Sequence, residues 1–218
     1  MLKLLAVLVL CASACSSFAP STLESKRVTD LEARKIRRIA VVLPNGMGFE
    51  PKPQATYASP PSSERSFSEQ ELSVLLARLL YSTMASMPDW QVVSEGEVKD
   101  IAQSVPPGND TARLQKIGQM AYADGVVVGR MQRYRERVGN EWGAKSPASV
   151  AFAVDLIDVR RGDVVWSARF DETQKPLSEN IFALGSVGQR GVRWLTAEQL
   201  TQEGVRKAVG DLYRILVS

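Results

Sequence analysis

The chain of 218 residues carries 27 Lys and Arg against 24 Asp and Glu, two cysteines and no histidine. A formal charge of +3, with both signs interleaved, does not predict nucleic-acid binding. The absence of histidine excludes Ser-His-Asp and Cys-His catalysis and histidine-based metal sites. The composition therefore favours a binding function, with carboxylate chemistry as the enzymatic option.

The N-terminus is typical of an exported protein. Lys3 precedes an apolar run from Leu4 to Leu10, which is too short to span a bilayer because a spanning helix needs about 20 residues. Small residues follow and lead to Cys15. This pattern predicts a signal peptide over residues 1–14.

Small residues before Cys15 resemble the lipobox of bacterial lipoproteins, in which the cysteine becomes the acylated first residue. We therefore predict palmitate on Cys15 and attachment of the protein to the membrane through that lipid anchor. Cleavage after Ala14 by an ordinary signal peptidase is the alternative, since small residues serve both enzymes. Cys15 has no other evident use in an exported protein, because Cys11 leaves with the signal. The lipoprotein sorting rule, applied to Ser16, implies the outer membrane of a Gram-negative bacterium, with the domain facing the periplasm.

The chain after the cysteine divides into a tether and one domain. Residues 15–34 are polar and are predicted to be the tether, and residues 35–218 form the domain. β-Branched residues from Ile36 to Leu43 predict the first strand. The Pro- and Ser-rich segment 44–67 is predicted to be a disordered loop, with a binding role for Phe49 and Tyr57 as the alternative.

Three helix starts share one signature, a Ser or Thr followed three residues later by Glu or Gln between apolar flanks. They are Ser68 with Glu71, Ser94 with Glu97, and Thr196 with Gln199. The first helix separates the first strand from a short strand at Trp90–Val93, so a right-handed parallel crossover is expected.

The segment from Asp124 to Thr173 predicts a three-stranded antiparallel meander, with a turn at residues 160–163. Apolar residues alternate with other residues from Val150 to Leu156 and from Val164 to Phe170, which is the period of a strand with one buried face. The predicted fold is therefore α/β (α+β). It has a mixed five-stranded sheet, a strand-helix-strand crossover before the meander, helices packed on the sheet and a C-terminal helix.

The sequence offers little catalytic chemistry. No Gly-x-Gly-x-x-Gly or Walker A stretch is present, and no catalytic residue, cofactor or metal site is predicted. The alternative is an envelope hydrolase that uses a carboxylate pair among Asp171, Glu172 and Glu179. Solvated charges at a strand end are the commoner explanation of that cluster.

Arginines alternate along the first meander strand, and Arg133, Arg135 and Arg137 are predicted to share one face with Met131. This face binds an anionic polymer or lipid headgroups in one interpretation and is an ordinary solvated face in the other. The predicted partner-binding surface combines it with the end of the last strand. Its residues are Arg133, Tyr134, Arg135, Arg137, Asp171, Glu172, Glu179 and Asn180.

Two stretches carry a family resemblance: Ala123 to Gly129, and Val154 to Val159 with Gly162, Val165, Trp166 and Ser167. They resemble the TolB N-terminal-type domain and the periplasmic domain of CsgG-type (curli-secretion) lipoproteins. Residues 171–180 and 193–196 are similar to outer-membrane lipoproteins that carry this domain. The resemblance covers about residues 36–216, implies the fold, and supplies no catalytic residues.

The resemblance also raises the question of a secretion channel. Curli-type channels insert two hairpins per subunit into the membrane, and the segment between Tyr134 and Pro147 is too short and too charged for a membrane strand. We therefore expect a non-catalytic, lipid-anchored periplasmic accessory module with an envelope protein partner. Its predicted role is in envelope assembly, secretion or peptidoglycan-synthase regulation. A subunit of a curli-type secretion complex stays an alternative, and so does a homo-oligomer.

Overall fold

The computed structural model of the chain describes residues 23–43, 67–106, 110–174 and 194–217. The predictions for the signal peptide, Cys15, the loop at 44–66, Glu179 and Asn180 lie outside these residues. Among the described residues, no helix combines the length and the hydrophobicity that crossing a bilayer requires.

One mixed sheet of six strands and a separate two-stranded hairpin contain all the described strands. The large sheet contains β1 (Leu23–Arg27), β2 (Arg38–Val42), β3 (Gln91–Val92), β4 (Gly125–Arg135), β7 (Ser149–Asp158) and β8 (Val164–Thr173). The order of these strands across the sheet is β1-β8-β7-β4-β2-β3. The hairpin consists of β5 (Val138–Gly139) and β6 (Ala144–Ser146), which lie between β4 and β7 in the chain.

Four described helices pack on this sheet. They are α1 (Glu69–Ala85), α2 (Glu95–Ser104), α3 (Asp110–Met120) and α4 (Ala197–Val217), and a short 3₁₀ turn covers Glu32–Arg34. The predicted fold class is confirmed: β2 and β3 are parallel and joined through α1, and β4, β7 and β8 form an antiparallel meander. The predicted count of five strands is one short, because β1 was not anticipated.

Strand β1 begins inside the segment that the sequence assigned to the tether. It pairs antiparallel with β8, from Leu23 opposite Phe170 to Arg27 opposite Trp166. Four of its five side chains are exposed, so it shows none of the apolar alternation that marks a strand in sequence. Backbone pairing at the sheet edge holds it, and residues 23–34 therefore belong to the domain rather than to the tether.

Two apolar clusters lie on opposite faces of the sheet. The larger cluster joins α1 and α4 to the sheet and includes Leu76, Phe152, Trp166 and Leu212. The smaller cluster joins α2 and α3 to β2, β4 and β7, and it includes no residue of β8 or β1. One face is thus covered along the whole meander, and the other is covered only toward β2.

The predicted helix caps are present. The Ser68 hydroxyl accepts a hydrogen bond from the Glu71 N–H (3.2 Å), and the Glu71 carboxylate accepts one from the Ser68 N–H (2.8 Å), which completes a capping box. Thr196 and Gln199 exchange the same two bonds at 3.1 and 3.0 Å. Residues near in sequence make these contacts, which is why local pattern predicts them.

Candidate functional site: the open face of the sheet

Strand β4 is longer than the helical layer that covers it. Its first five residues, Gly125–Gly129, are buried, whereas the residues from Arg130 to Arg135 are half-buried or exposed. On the side of α2 and α3, the sheet surface beyond Val128 is polar. We call this surface the open face, and it consists of Arg130, Arg133, Arg135, Ser149, Ala151, Ala153, Asp155, Ser167, Arg169 and Asp171.

A β-bulge decides which arginines share that face. The register between β4 and β7 shifts between Met131, opposite Phe152, and Arg133, opposite Ala151. The extra residue, Gln132, therefore puts Met131 on the core side and Arg133 on the same face as Arg130. The prediction that Met131 lies on the arginine face is wrong, because strict alternation assumes a strand without an inserted residue.

Ion pairs connect the three meander strands across the open face. Arg130 of β4 pairs with Asp155 of β7, and the other Asp155 oxygen accepts a hydrogen bond from the Ser167 hydroxyl at 2.6 Å. Arg133 pairs with Asp171 of β8, while its Nε donates to Ser149 Oγ at 2.7 Å. Cross-strand pairs of this kind fix the guanidinium positions before any partner arrives.

Strand β7, the central strand of the meander, contributes small side chains to the open face. Ala153 and Ala151 face Arg130 and Arg133 across the ladder, and Ala151 is buried beneath this polar layer. Arg135 lies at the outer end, is exposed, and has no carboxylate within ion-pair distance among the described residues. The surface therefore offers fixed arginines in its centre and an unpaired one at its edge.

The other predicted site residues lie elsewhere. Tyr134 points to the core side, where its ring meets Phe67 edge-on at 5.2 Å. Burial raises the pKa of Tyr134 to about 12, and the carboxylates of Glu136 and Glu198 add to the shift. The Arg137 guanidinium donates to the backbone oxygen of Trp194.

The proposed carboxylate pair does not converge. Asp171 and Glu172 are adjacent on β8, opposite Ala151 and Val150, and so they face opposite sides of the sheet. Asp171 pairs with Arg133 on the open face, and buried Glu172 lies 3.7 Å from the Lys207 ammonium on the other. Glu179 lies outside the described residues. Within the described ranges, no group of three or more metal-ligating side chains comes together.

Arg130, Ser149, Asp155 and Arg169 belong to the open face, yet sequence reasoning left them out of the site. The signal that could have found them is the pairing of β4 with β7 and β8. Once that register is fixed, each polar residue takes a partner of complementary charge or hydrogen-bonding type. Alternation along one strand, without the neighbouring strands, cannot supply this information.

Solved structures of bacterial proteins are similar to this fold at low sequence identity. A PelC dodecamer from Paraburkholderia phytofirmans matches with a TM-score of 0.45 and 14% identity, over 87% of this chain and 95% of that chain. The LpoB C-terminal domain from Salmonella enterica matches with a TM-score of 0.36 and 14% identity, over 50% of this chain and 73% of that chain. Lipoprotein GNA1162 from Neisseria meningitidis matches with a TM-score of 0.37 and 17% identity, over 71% of this chain and 97% of that chain.

No protein-family model matches the sequence, and no curated protein matches it either. TM-scores below 0.5 at these identities leave the argument about function to the chain's own residues.

Proposed function

We propose that this protein is a non-catalytic accessory module, anchored by lipid on Cys15 to the outer membrane and facing the periplasm. It binds an envelope protein partner in assembly, secretion or peptidoglycan-synthase regulation. The anchor is supported by the sequence, in which an apolar run and small residues lead to Cys15. The binding role is supported by the open face.

The open face is the observation that carries the binding proposal. On this face, guanidinium groups lie next to carboxylate groups. Asp171 pairs with Arg133 on one side and lies 3.9 Å from Arg169 on the other. Because these groups are held by cross-strand contacts, a partner with the complementary charge pattern loses little side-chain entropy on docking. Such a surface is suited to choosing a partner rather than to chemistry on a substrate.

A lipid anchor would strengthen a modest interface. Strand β1 begins eight positions after Cys15, and eight extended residues span at most about 29 Å. The domain would therefore stay near the membrane, at a high effective concentration for any partner in the same membrane. The resemblance to TolB N-terminal-type and CsgG-type domains supports secretion as one setting for this role.

Site-specific photocrosslinking tests the proposed function. A photoreactive phenylalanine analogue at Arg135, at the edge of the open face, should give a discrete crosslinked product with an envelope protein in living cells. The same analogue at Arg206, exposed on α4, is the matched control and should give none. Equal products from both positions, or none from Arg135 and a second position at Arg169, would contradict the proposal.

A further inference from the structure

Tyr122 is the most exposed of the large apolar and aromatic side chains in the described residues, at 84% exposure. It lies two positions after Met120, the last residue of α3, and has φ of 51°, in the left-handed region. Its N–H donates to the Gln119 oxygen (3.2 Å), and the next N–H, from Ala123, donates to the Gly118 oxygen (2.9 Å). These bonds form a Schellman motif with Tyr122 at the position where glycine is preferred.

The tyrosine ring does little for the fold at this place. A left-handed conformation costs an L-residue free energy that glycine avoids, and a side chain so exposed recovers little of it by packing. Residues held against their backbone preference cluster where function requires the side chain. An aromatic ring presented to solvent on a strained backbone therefore points to a contact outside the chain.

Asp124, two residues further on, fixes the surroundings of Tyr122. Its carboxylate accepts hydrogen bonds from the N–H groups of Arg37 (3.1 Å) and Arg38 (2.9 Å). Its own N–H donates to the Arg38 oxygen (2.7 Å), and its backbone oxygen accepts from the Val159 N–H (3.0 Å). Three chain segments are thereby joined into one surface at the end of the sheet where β2 and β4 begin.

That surface carries an excess of positive charge. We call it the distal patch, and it consists of Lys35, Arg37, Arg38, Tyr122, Arg160 and Arg161. Arg160 and Arg161 are 73% and 65% exposed, and their ion pairs with Asp124 and Asp30 are long, at 3.8 and 3.6 Å. Exposed pairs at such distances contribute little and are easily exchanged for a stronger partner.

The nearest buried carboxylate cannot neutralise the patch. Asp158 is already bonded to the Arg34 guanidinium (2.9 Å) and to the Arg160 N–H (2.8 Å). Lys35 and Arg37 are exposed, and the described residues provide no ion-pair partner for either. Arg38 lies 3.8 Å from Glu97, as Arg160 and Arg161 lie near Asp124 and Asp30, so Lys35 and Arg37 are the two cations in excess on the surface that also presents the Tyr122 ring.

We propose that the distal patch docks an acidic protein segment that also carries an apolar side chain. Carboxylates of the segment pair with Arg160, Arg161 and Arg37, and its apolar side chain packs on the exposed ring of Tyr122. Tyr and Arg are the residue types that contribute most to protein interfaces. An anionic polysaccharide would satisfy the cations but would leave the ring without a matching apolar group.

This surface is separate from the open face and from the predicted anchor. Leu23, where the chain coming from Cys15 enters the described domain, pairs with Phe170, six positions along β7 from the level of Gly125 and Asp158. The patch stands on its own contacts, whether or not Cys15 is acylated.

Two labelled peptides and one substitution test the proposal with the full-length protein in detergent. One peptide repeats Glu-Glu-Leu-Glu, and the other is oligoglutamate of the same length; affinity is measured by fluorescence anisotropy. The leucine-containing peptide should bind about fivefold more tightly than oligoglutamate. Tyr122→Gly should abolish that preference while raising Tm, since glycine relieves the left-handed residue.

The charged half of the interface has its own matched control. Arg160→Ala with Arg161→Ala should weaken both peptides about tenfold, whereas Arg206→Ala with Arg214→Ala, which makes the same charge change on α4, should have little effect. Equal affinity for the two peptides, or a lower Tm for Tyr122→Gly, would overturn the proposal. Competition by polygalacturonate as strong as that by the leucine-containing peptide would assign the patch to an anionic polymer instead.

Discussion

Gly204 lies where helix α4 crosses the stacked rings of Phe152 and Phe170. A Cβ atom added there would come within 2.7 Å of Phe170 Cδ1 and 2.8 Å of Phe152 Cε1. The two rings are 5.2 Å apart between centroids and are fully buried, so neither can move aside without opening the core. The missing side chain is what lets the helix approach the sheet so closely.

Gly204→Ala should therefore lower the free energy of unfolding by about 1 kcal/mol, because overpacking outweighs the gain in helix propensity. Gly210→Ala is the matched control on the same helix, where an added Cβ meets nothing within 4 Å. It should raise the free energy of unfolding by about 0.5–1 kcal/mol. Urea unfolding of both variants measures the difference; a stabilised Gly204→Ala would mean that the rings and the helix are not this close.

At the residue scale, what the sequence predicts is what depends on near neighbours. Ser68 with Glu71 shows its role in the sequence because both partners lie within one helical turn. The sequence does not predict which side of the sheet Met131 faces, because nothing distinguishes Gln132, the bulge residue, from any other polar residue of an alternating strand. The bulge depends on the pairing of β4 with β7, and no local pattern records it.

Among the elements, β1 and the 3₁₀ turn are held to the sheet by one buried cation. Arg34 Nη1 donates to Asp158 and Asp163, both at 2.9 Å, and its side chain is 8% exposed. These hydrogen bonds, to Asp163 first and then to Asp158, raise the pKa of the Arg34 guanidinium, and the bond from Arg34 lowers the pKa of Asp30. The cluster joins the N-terminal segment to the β7–β8 turn.

Arg34→Met should lower the free energy of unfolding by clearly more than loss of an exposed ion pair does, because it leaves the buried Asp158 carboxylate without its cation. Arg27→Met removes an ion pair with Glu32 whose side chains are 48% and 59% exposed, and it should cost less than about 1 kcal/mol. Chemical denaturation at neutral pH compares the two. Similar decreases in the free energy of unfolding for both variants would show that Arg34 does not hold the N-terminal segment to the β7–β8 turn.

The sheet was predictable at the scale of elements where strands bury side chains. The runs in β2 and β4 are β-branched and apolar, and the crossover through α1 leaves few arrangements for them. Strand β1 was not predictable, because an edge strand of sequence Leu-Glu-Ser-Lys-Arg buries almost nothing. Its stability comes from backbone hydrogen bonds to β8 and from the contacts of Arg34 with Asp158 and Asp163.

For the whole molecule, the candidate site could be predicted only in part. The sequence indicates Arg133, Arg135 and Asp171, which the fold does bring onto one face, but it also assigns Tyr134 and Glu172, which the fold turns to the other. Tyr122 was missed altogether, since nothing in the sequence marks a tyrosine at a left-handed position. Faces and ends of a sheet exist only after the strands have paired, so long-range register decides them.

The central claim also concerns the whole molecule: a lipid on Cys15 is proposed to attach this domain to a membrane and so to bring its surfaces to their partners. The location and the high effective concentration in the proposed function depend on that attachment. Cys15→Ala removes the acylation site, and Cys11→Ala, within the predicted signal peptide, is the matched control.

Metabolic labelling with palmitate, followed by membrane fractionation, tests the claim most directly. The account predicts that Cys15→Ala loses the label and leaves the membrane fraction, while Cys11→Ala keeps the label and stays with the membrane. Unchanged labelling and fractionation of Cys15→Ala would contradict it.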